Sequence, residues 1–295
     1  SHNKNSVNQL TGEKVQLYLA DMGVKGAGSS HKIGVGEPLG QFYGYISDGL
    51  YQVSDFNYDK ASGKYTLKDG IPYRGEKDKV QPGMLKFKNI DGSEDNKITE
   101  DDKTVIGNAF PKFYGGINNT FTYKDFDLSI FLTYSFGNDV LNATKLTNTR
   151  TALTNKNVLA AADWNHRWVT INKETGALIT DPEELAAANQ GKTIACFDDN
   201  GSSDNAVIHS WAVEDGSYLK LSNITLGYTF PKKIVNKIGL SKLRLYATGN
   251  NLLTWTKYTG YDPEVSTMSN AMTPGVDFGA YPRSRSFVFG VNVAF

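Results

Sequence analysis

Apolar and polar residues alternate through two successive stretches between Lys112 and Asn138. In the first, Phe113, Gly115, Ile117, Asn119, Phe121 and Tyr123 share one side, and Tyr114, Gly116, Asn118, Thr120 and Thr122 share the other. After Lys124-Asp125, the side formed by Phe126, Leu128, Ile130, Leu132, Tyr134 and Phe136 opposes Asp127, Ser129, Phe131, Thr133 and Ser135. A period of two predicts paired strands joined by a tight turn. Each arm has roughly the ten residues that a tilted strand needs to cross a bilayer. Aromatic residues close both ends of the apolar sides, where interfacial girdles belong. A soluble hairpin would carry more Lys and Glu on its wet side than the Asn, Thr and Ser found here.

The same period returns in residues 285–295, where Phe287, Phe289, Val291, Val293 and Phe295 oppose the smaller or polar Val288, Gly290, Asn292 and Ala294. Alone, this stretch suits either a sandwich strand or the closing strand of a membrane barrel, whose lipid side must be apolar. In residues 219–230, Ile224, Leu226, Tyr228 and Phe230 share a side; Pro231 stops the strand, and residues 232–239 predict a short helical turn. Residues 240–256 form the next strand region, and Val15, Leu17 and Leu19 predict a short early one before a loop with Gly26 and Gly28. Residues 55–83 are polar and turn-rich, the composition of an exposed loop. Residues 142–213 show no sustained alternation and predict a long loop with a short helix at 183–188; residues 260–283 predict another. Short turns at one end and long loops at the other predict an all-β chain, part of a transmembrane antiparallel barrel, with about ten strands of spanning length.

Composition narrows this further. Lys and Arg total 31 and Asp and Glu total 31, so no global field draws the chain to nucleic acid. Aromatic residues make up 12% and glycines number 29, a balance suited to strands and turns. The single Cys196 excludes an internal disulfide framework and reads as a buried or idle thiol. No apolar run is long enough for a membrane helix, but barrel strands alternate and escape that test, in keeping with a mean hydropathy of −0.40. With no signal peptide visible, the chain is expected to start after processing or within a longer polypeptide.

Residues 91–102 are the most specific local motif. As a twelve-residue calcium loop they place side-chain oxygens of Asp91, Ser93, Asp95, Thr99 and Asp102, with the Lys97 carbonyl at the seventh position and Ile98 as the apolar anchor. Asn96 stands where Gly is usual, a mild departure because Asn tolerates the left-handed conformation; Asp102 replaces the usual bidentate Glu and weakens the site. The expectation is a structural Ca2+ site, against a solvated acidic turn. Nothing points to an enzyme. The histidines His2, His31, His166 and His209 have no ligand spacing and read as loop or surface residues. Adjacent carboxylates such as Asp198-Asp199 read as solvated charge, and the glycines at 34–44 have no nucleotide-binding spacing. Trp164, Trp168, Trp211 and Tyr261 lie in the predicted loops as candidate contacts for sugars or peptides; Trp255 suits interfacial anchoring equally well.

Several segments together resemble the SusC/RagA-type TonB-linked outer-membrane receptors. They are residues 36–45 (GEPLGQFYGY), 48–51 (DGLY), Pro82-Gly83 leading into the 91–102 loop, Val105-Ile106-Gly107, the 112–138 hairpin, 213–228 (VEDGSYLKLSNITLGY), and 243–256 continuing into Gly260-Tyr261-Asp262-Pro263-Glu264. The resemblance implies a Gram-negative outer-membrane barrel of about 22 strands, with an N-terminal plug, TonB-driven uptake of glycans or peptides, and a SusD-like lipoprotein lid. It implies that residues 1–295 are the C-terminal portion of that barrel, lacking the plug and the first strands, and that residues 285–295 close it. The competing expectation is a secreted, calcium-stabilised β-sandwich that binds carbohydrate. Detergent dependence separates the two.

Overall fold

The computed structural model describes residues 1–19, 28–149, 157–195, 207–267 and 270–295. Cys196, Asp198-Asp199 and Gly26 lie outside the described residues. The longest strands form one five-stranded antiparallel sheet: β1 (Phe113–Tyr123), β2 (Phe126–Phe136), β3 (Tyr218–Thr229), β4 (Lys242–Thr256) and β5 (Ser286–Ala294) pair in chain order. Every member of this meander was legible as period two. The expected count of about ten spanning strands is corrected: among the described residues, only these five exceed six residues.

Register decides what this sheet offers to its surroundings. Ile117 faces Leu132, Phe121 faces Leu128, Leu128 faces Leu226, Leu226 faces Ala247, and Ala247 faces Phe289. Residues directly opposite in an antiparallel pair project to the same side, so the five apolar sides merge into one continuous face. A one-residue slip would send each strand's apolar set to the wrong side. Near the loop end the pairing shifts register between Phe131 and Leu132 and between Leu221 and Asn223. These bulges let Leu219, Leu221, Leu253 and Trp255 stay on the apolar face, with Asn251 in the left-handed region at φ 52°.

The apolar face has no covering layer among the described residues. Phe289 is 80% exposed, Phe121 58% and Leu226 50%, although all three lie inside strands. A sandwich would bury this face beneath a second sheet, so the sandwich expectation is overturned. Rings gather at its two ends: Phe126 packs on Tyr228 at 4.7 Å and Tyr228 on Phe230 at 5.0 Å at the turn end, and Tyr134 approaches Phe136 at the other.

On the opposite face, glycine opens space for large side chains to lie flat. The Tyr246 ring lies across Gly290, its direct cross-strand partner, and the Arg244–Asp127 pair lies across Gly227. A β-carbon at either glycine meets those groups at once.

The connections are asymmetric. Residues 124–125 and 230–241 join strands at one end, the latter through helix α3 (Lys232–Val235) as expected. At the other end, the described residues of 1–112, 137–217 and 257–285 pack together into a crown with cores of its own. Phe42, Leu141, Leu146, Ile208 and Val276, contributed by separate segments, form one buried cluster. Leu50, Trp168, Ile179, Leu185 and Ala195 form another.

Three loop expectations are corrected here. Residues 55–83 hold a hairpin (Phe56–Asp59 with Lys64–Leu67) over buried Phe56, Leu67 and Val80. Residues 142–213 contain the short helix expected at 183–188, α2 (Pro182–Ala188), capped by Asp181, whose carboxylate accepts the Glu183 and Glu184 amides, and they add α1 (Ala143–Asn148), which was not expected. Within 260–283, Val276–Asp277 pairs in parallel with Asp139–Asn142. Isolated apolar residues in polar sequence give no period, yet each fills a core when distant segments converge.

Replacing Gly290 with Val should drive its side chain into the Tyr246 ring and cost about 1–3 kcal/mol. Denaturant unfolding in detergent would measure this; unchanged stability would show that the ring has free space elsewhere.

Candidate functional site

The polar face of the sheet is lined with short side chains that satisfy one another. Thr133 bonds Ser222 at 2.6 Å, Thr225 bonds Thr248 at 2.8 Å, and Asn223 donates to Asn250, which donates to Ser286 at 3.1 Å. Nearer the turn end, Arg244 donates through Nε and Nη2 to the two oxygens of Asp127. This two-point grip holds the guanidinium against the wall.

Where the sheet meets the crown, Glu264 accepts from the Tyr218 hydroxyl at 2.8 Å, from the buried Lys220 ammonium and from Arg283 at 3.1 Å. Burial works against the Glu264 charge, but Lys220, Tyr218 and Arg283 outweigh it and hold the carboxyl below its ordinary range. A second network ties α1 to the 257–285 segment. Lys145 donates to Glu214 and to the Trp211 carbonyl, both at 3.1 Å, and its ammonium sits 4.1 Å from the centre of the Trp211 ring. Glu214 accepts the Thr259 amide at 2.8 Å and its hydroxyl at 2.7 Å. Beside it, Tyr258 donates to Asp277 at 2.6 Å, and burial together with that carboxylate pushes the phenol up.

Three of the clefts among the described residues lie in this region. One of about 530 Å³ lies between Asp48, Lys86, Lys192 and Trp211. The next, of about 260 Å³, is walled by Trp211, Leu159, Ile194 and Tyr261. The third, of about 300 Å³, lies on the polar face among Lys220, Thr254, Tyr261, Arg283 and Arg285. Trp211 borders the first two and Tyr261 the last two, so the structure brings two of the four expected aromatic residues into one run of clefts. Trp164 borders none of the three; it is half-buried, with Arg167 and Lys192 near its ring. Trp168 is corrected from a ligand contact to a core residue: it is 2% exposed, and Gly83 backs directly onto its indole. Lys145, Glu214 and Glu264 went unrecognised because Lys145 and Glu214 are 69 residues apart in sequence and Lys220 and Glu264 are 44 apart.

In the 91–102 loop the carboxylates serve backbone amides. Asp102, fully buried, accepts from Ile90 at 2.7 Å, from Asp91 at 3.2 Å and from Thr99 at 2.8 Å. Asp91 accepts the Ser93 amide, Asp95 the Lys97 amide, and Thr99 Oγ1 the Asp101 amide. Asn96 has a φ of 56°, the left-handed conformation that Asn tolerates, and Ile98 is buried as the anchor. Among the described residues no three His, Cys, Asp or Glu side chains are grouped to hold a metal ion.

Two histidines depart from the surface expectation. His31 is buried between Ser30 Oγ at 2.8 Å and the Pro274 carbonyl at 3.0 Å. His209, also buried, stacks on Trp211 at 5.8 Å and leaves Nδ1 without a partner. Burial, with Lys145 nearby, pushes its pKa down to about 3.

No protein-family model matches the chain. It is 33% identical over 265 residues to TonB-dependent receptor P3 of Formosa agariphila, a match covering 88% of this chain and 22% of that protein. TonB-dependent receptor P39 of the same organism is 28% identical, with 88% and 25% covered. TonB-dependent receptor SusC of Bacteroides thetaiotaomicron is 26% identical, with 70% and 17% covered. The chain thus spans about a quarter of the length of its curated relatives. In fold it is similar to the solved RagAB peptide transporter, with a TM-score of 0.63 at 20% identity, covering all of this chain and 26% of that one. The RagAB importer in its closed-closed state gives 0.61 at 19% identity, with the same coverage.

A neutral His209 in the fold predicts acid sensitivity with a defined sign. Its folded pKa lies below the ordinary value of about 6.5, so the unfolded chain takes the proton first. Stability is full above that value and falls by up to about 1.4 kcal/mol per pH unit as the pH drops toward the folded pKa. A His209→Phe variant should lose this component, so its unfolding free energy should fall less than that of the parent protein between pH 7 and pH 5. Parallel pH dependences would show that His209 carries no such burden.

Proposed function

We propose that this chain, a relative of the SusC/RagA-type TonB-dependent receptors, forms part of the barrel wall and outer crown of a nutrient receptor in the Gram-negative outer membrane. The observation that carries the proposal is the uncovered apolar face of the five-stranded sheet, bounded by aromatic residues at both ends. A strand of 9 to 15 residues, as these five are, has the length to cross a tilted path through hydrocarbon. Only a sheet whose backbone groups are all paired survives there, so strands at its edges must find partners in a closed barrel. The opposite face, lined with Thr, Ser and Asn, suits a wet lumen.

In this reading residues 1–295 are the C-terminal portion of the barrel, with the 91–102 loop inserted in the crown. The work is import of glycan oligosaccharides or peptides, driven through TonB, beneath a SusD-like lipoprotein lid; it is transport rather than catalysis. The names of the relatives and the fold shared with a peptide transporter support this reading. Trp211 and Tyr261 are the proposed substrate contacts within this chain, with Trp164 further out on the crown. Calcium at residues 91–102 is an addition to a loop already closed by its own hydrogen bonds, and a melting curve that ignores both calcium and chelator removes it from the proposal.

Trp255 tests the membrane placement, since it stands on the apolar face and is 51% exposed while the other three tryptophans lie in the crown. In vesicles with brominated acyl chains, the receptor should lose fluorescence, and the loss should be smaller in a Trp255→Phe variant. Equal quenching of both proteins, or a monodisperse folded chain without detergent, would overturn the placement.

A further inference from the structure

The cleft on the polar face holds more positive charge than its neighbours neutralise. Lys220, Arg283 and Arg285 border it, and Asp262 is the only acidic side chain among its walls. Glu264 stands behind, engaged by Lys220, Arg283 and Tyr218, and Asp262 turns Oδ1 to the Glu264 amide at 3.0 Å. Arg285 is exposed and makes no ion pair among the described residues. The whole chain balances its charges, so this excess is local.

The adjoining surface is of a different kind. Tyr261, 73% exposed, borders both this cleft and the one with Trp211, whose walls mix Leu159 and Ile194 with Thr144 and Thr259. The cation-lined cleft adds Thr254, whose hydroxyl makes no hydrogen bond among the described residues, and Asn251, whose side-chain nitrogen donates to the Ser284 carbonyl. An exposed aromatic ring flanked by short hydroxyl and amide side chains suits the C–H face and hydroxyl groups of a pyranose. A free guanidinium supplies two parallel donors for a carboxylate or sulfate group.

We propose that these clefts bind an acidic oligosaccharide across Tyr261, with a carboxylate or sulfate on one sugar held by Arg285 and supported by Arg283 and Lys220. This rests on the receptor reading above and names the substrate class for it. Lys220 and Arg283 keep their bonds to Glu264, so Arg285 is the group whose removal reports on the anion without opening the wall.

Binding to the complete receptor in detergent, measured by calorimetry, tests the proposal with four probes: an oligogalacturonate, a sulfated oligosaccharide, a neutral oligosaccharide of equal length and an acidic peptide. At least one acidic saccharide should bind about tenfold or more tighter than the neutral one, and whichever it is identifies carboxylate or sulfate as the recognised group. An Arg285→Gln variant should abolish that preference, and Tyr261→Ala should weaken both saccharides together. Equal affinity for acidic and neutral saccharides, an unaltered preference in Arg285→Gln, or tight binding of the acidic peptide alone would overturn it. Those results would leave the lipid quenching of Trp255 unaffected, so failure of the substrate class is distinguishable from failure of the membrane reading.

Discussion

Cross-strand register is the constraint on which the rest of this structure depends. Each strand of the meander has one apolar and one polar side, and pairing sets apolar residue opposite apolar residue across all five strands. The result is a surface too extensive to leave in water and a reverse side too polar to leave in hydrocarbon. A bilayer on one side and a wet channel on the other satisfy both demands with the same strands. Bulges keep the apolar set in phase where the pairing shifts, and glycines on the polar side let Tyr246 and Arg244 lie flat.

The crown places the candidate clefts at the ends of those strands. It is held by buried cores and by charged groups whose partners come from distant segments, Lys220 with Glu264 and Lys145 with Glu214. Removing one member of a buried pair leaves an uncompensated charge, which is far costlier than losing a surface bridge. The segments carrying Trp211 and Tyr261 are therefore anchored beside fixed charges, and the clefts between them inherit that rigidity.

The strands were legible because their period is two and their faces differ. The turn at Lys124-Asp125, the stop at Pro231 and the short helix beyond it follow from local chemistry. The crown was opaque for the opposite reason. Phe42, Leu141, Ile208 and Val276 meet only in three dimensions, and nothing in the spacing of Asp102 shows that its carboxylate is spent on three amides. Trp168 and Trp211 look alike in sequence, yet one is sealed beneath Gly83 and the other borders two clefts. His31 and His209 were misplaced because a lone His carries no mark of burial in sequence, whereas His2 and His166 are exposed as expected.

The central claim is that one face of the sheet meets lipid and the other meets water. Single spin labels placed in turn along residues 286–294 of the membrane-embedded receptor would test it through collision rates with oxygen and with a water-soluble nickel complex. Positions 287, 289, 291 and 293 should favour oxygen, and positions 288, 290 and 292 the nickel complex. A flat profile, or one in the opposite phase, would contradict the account.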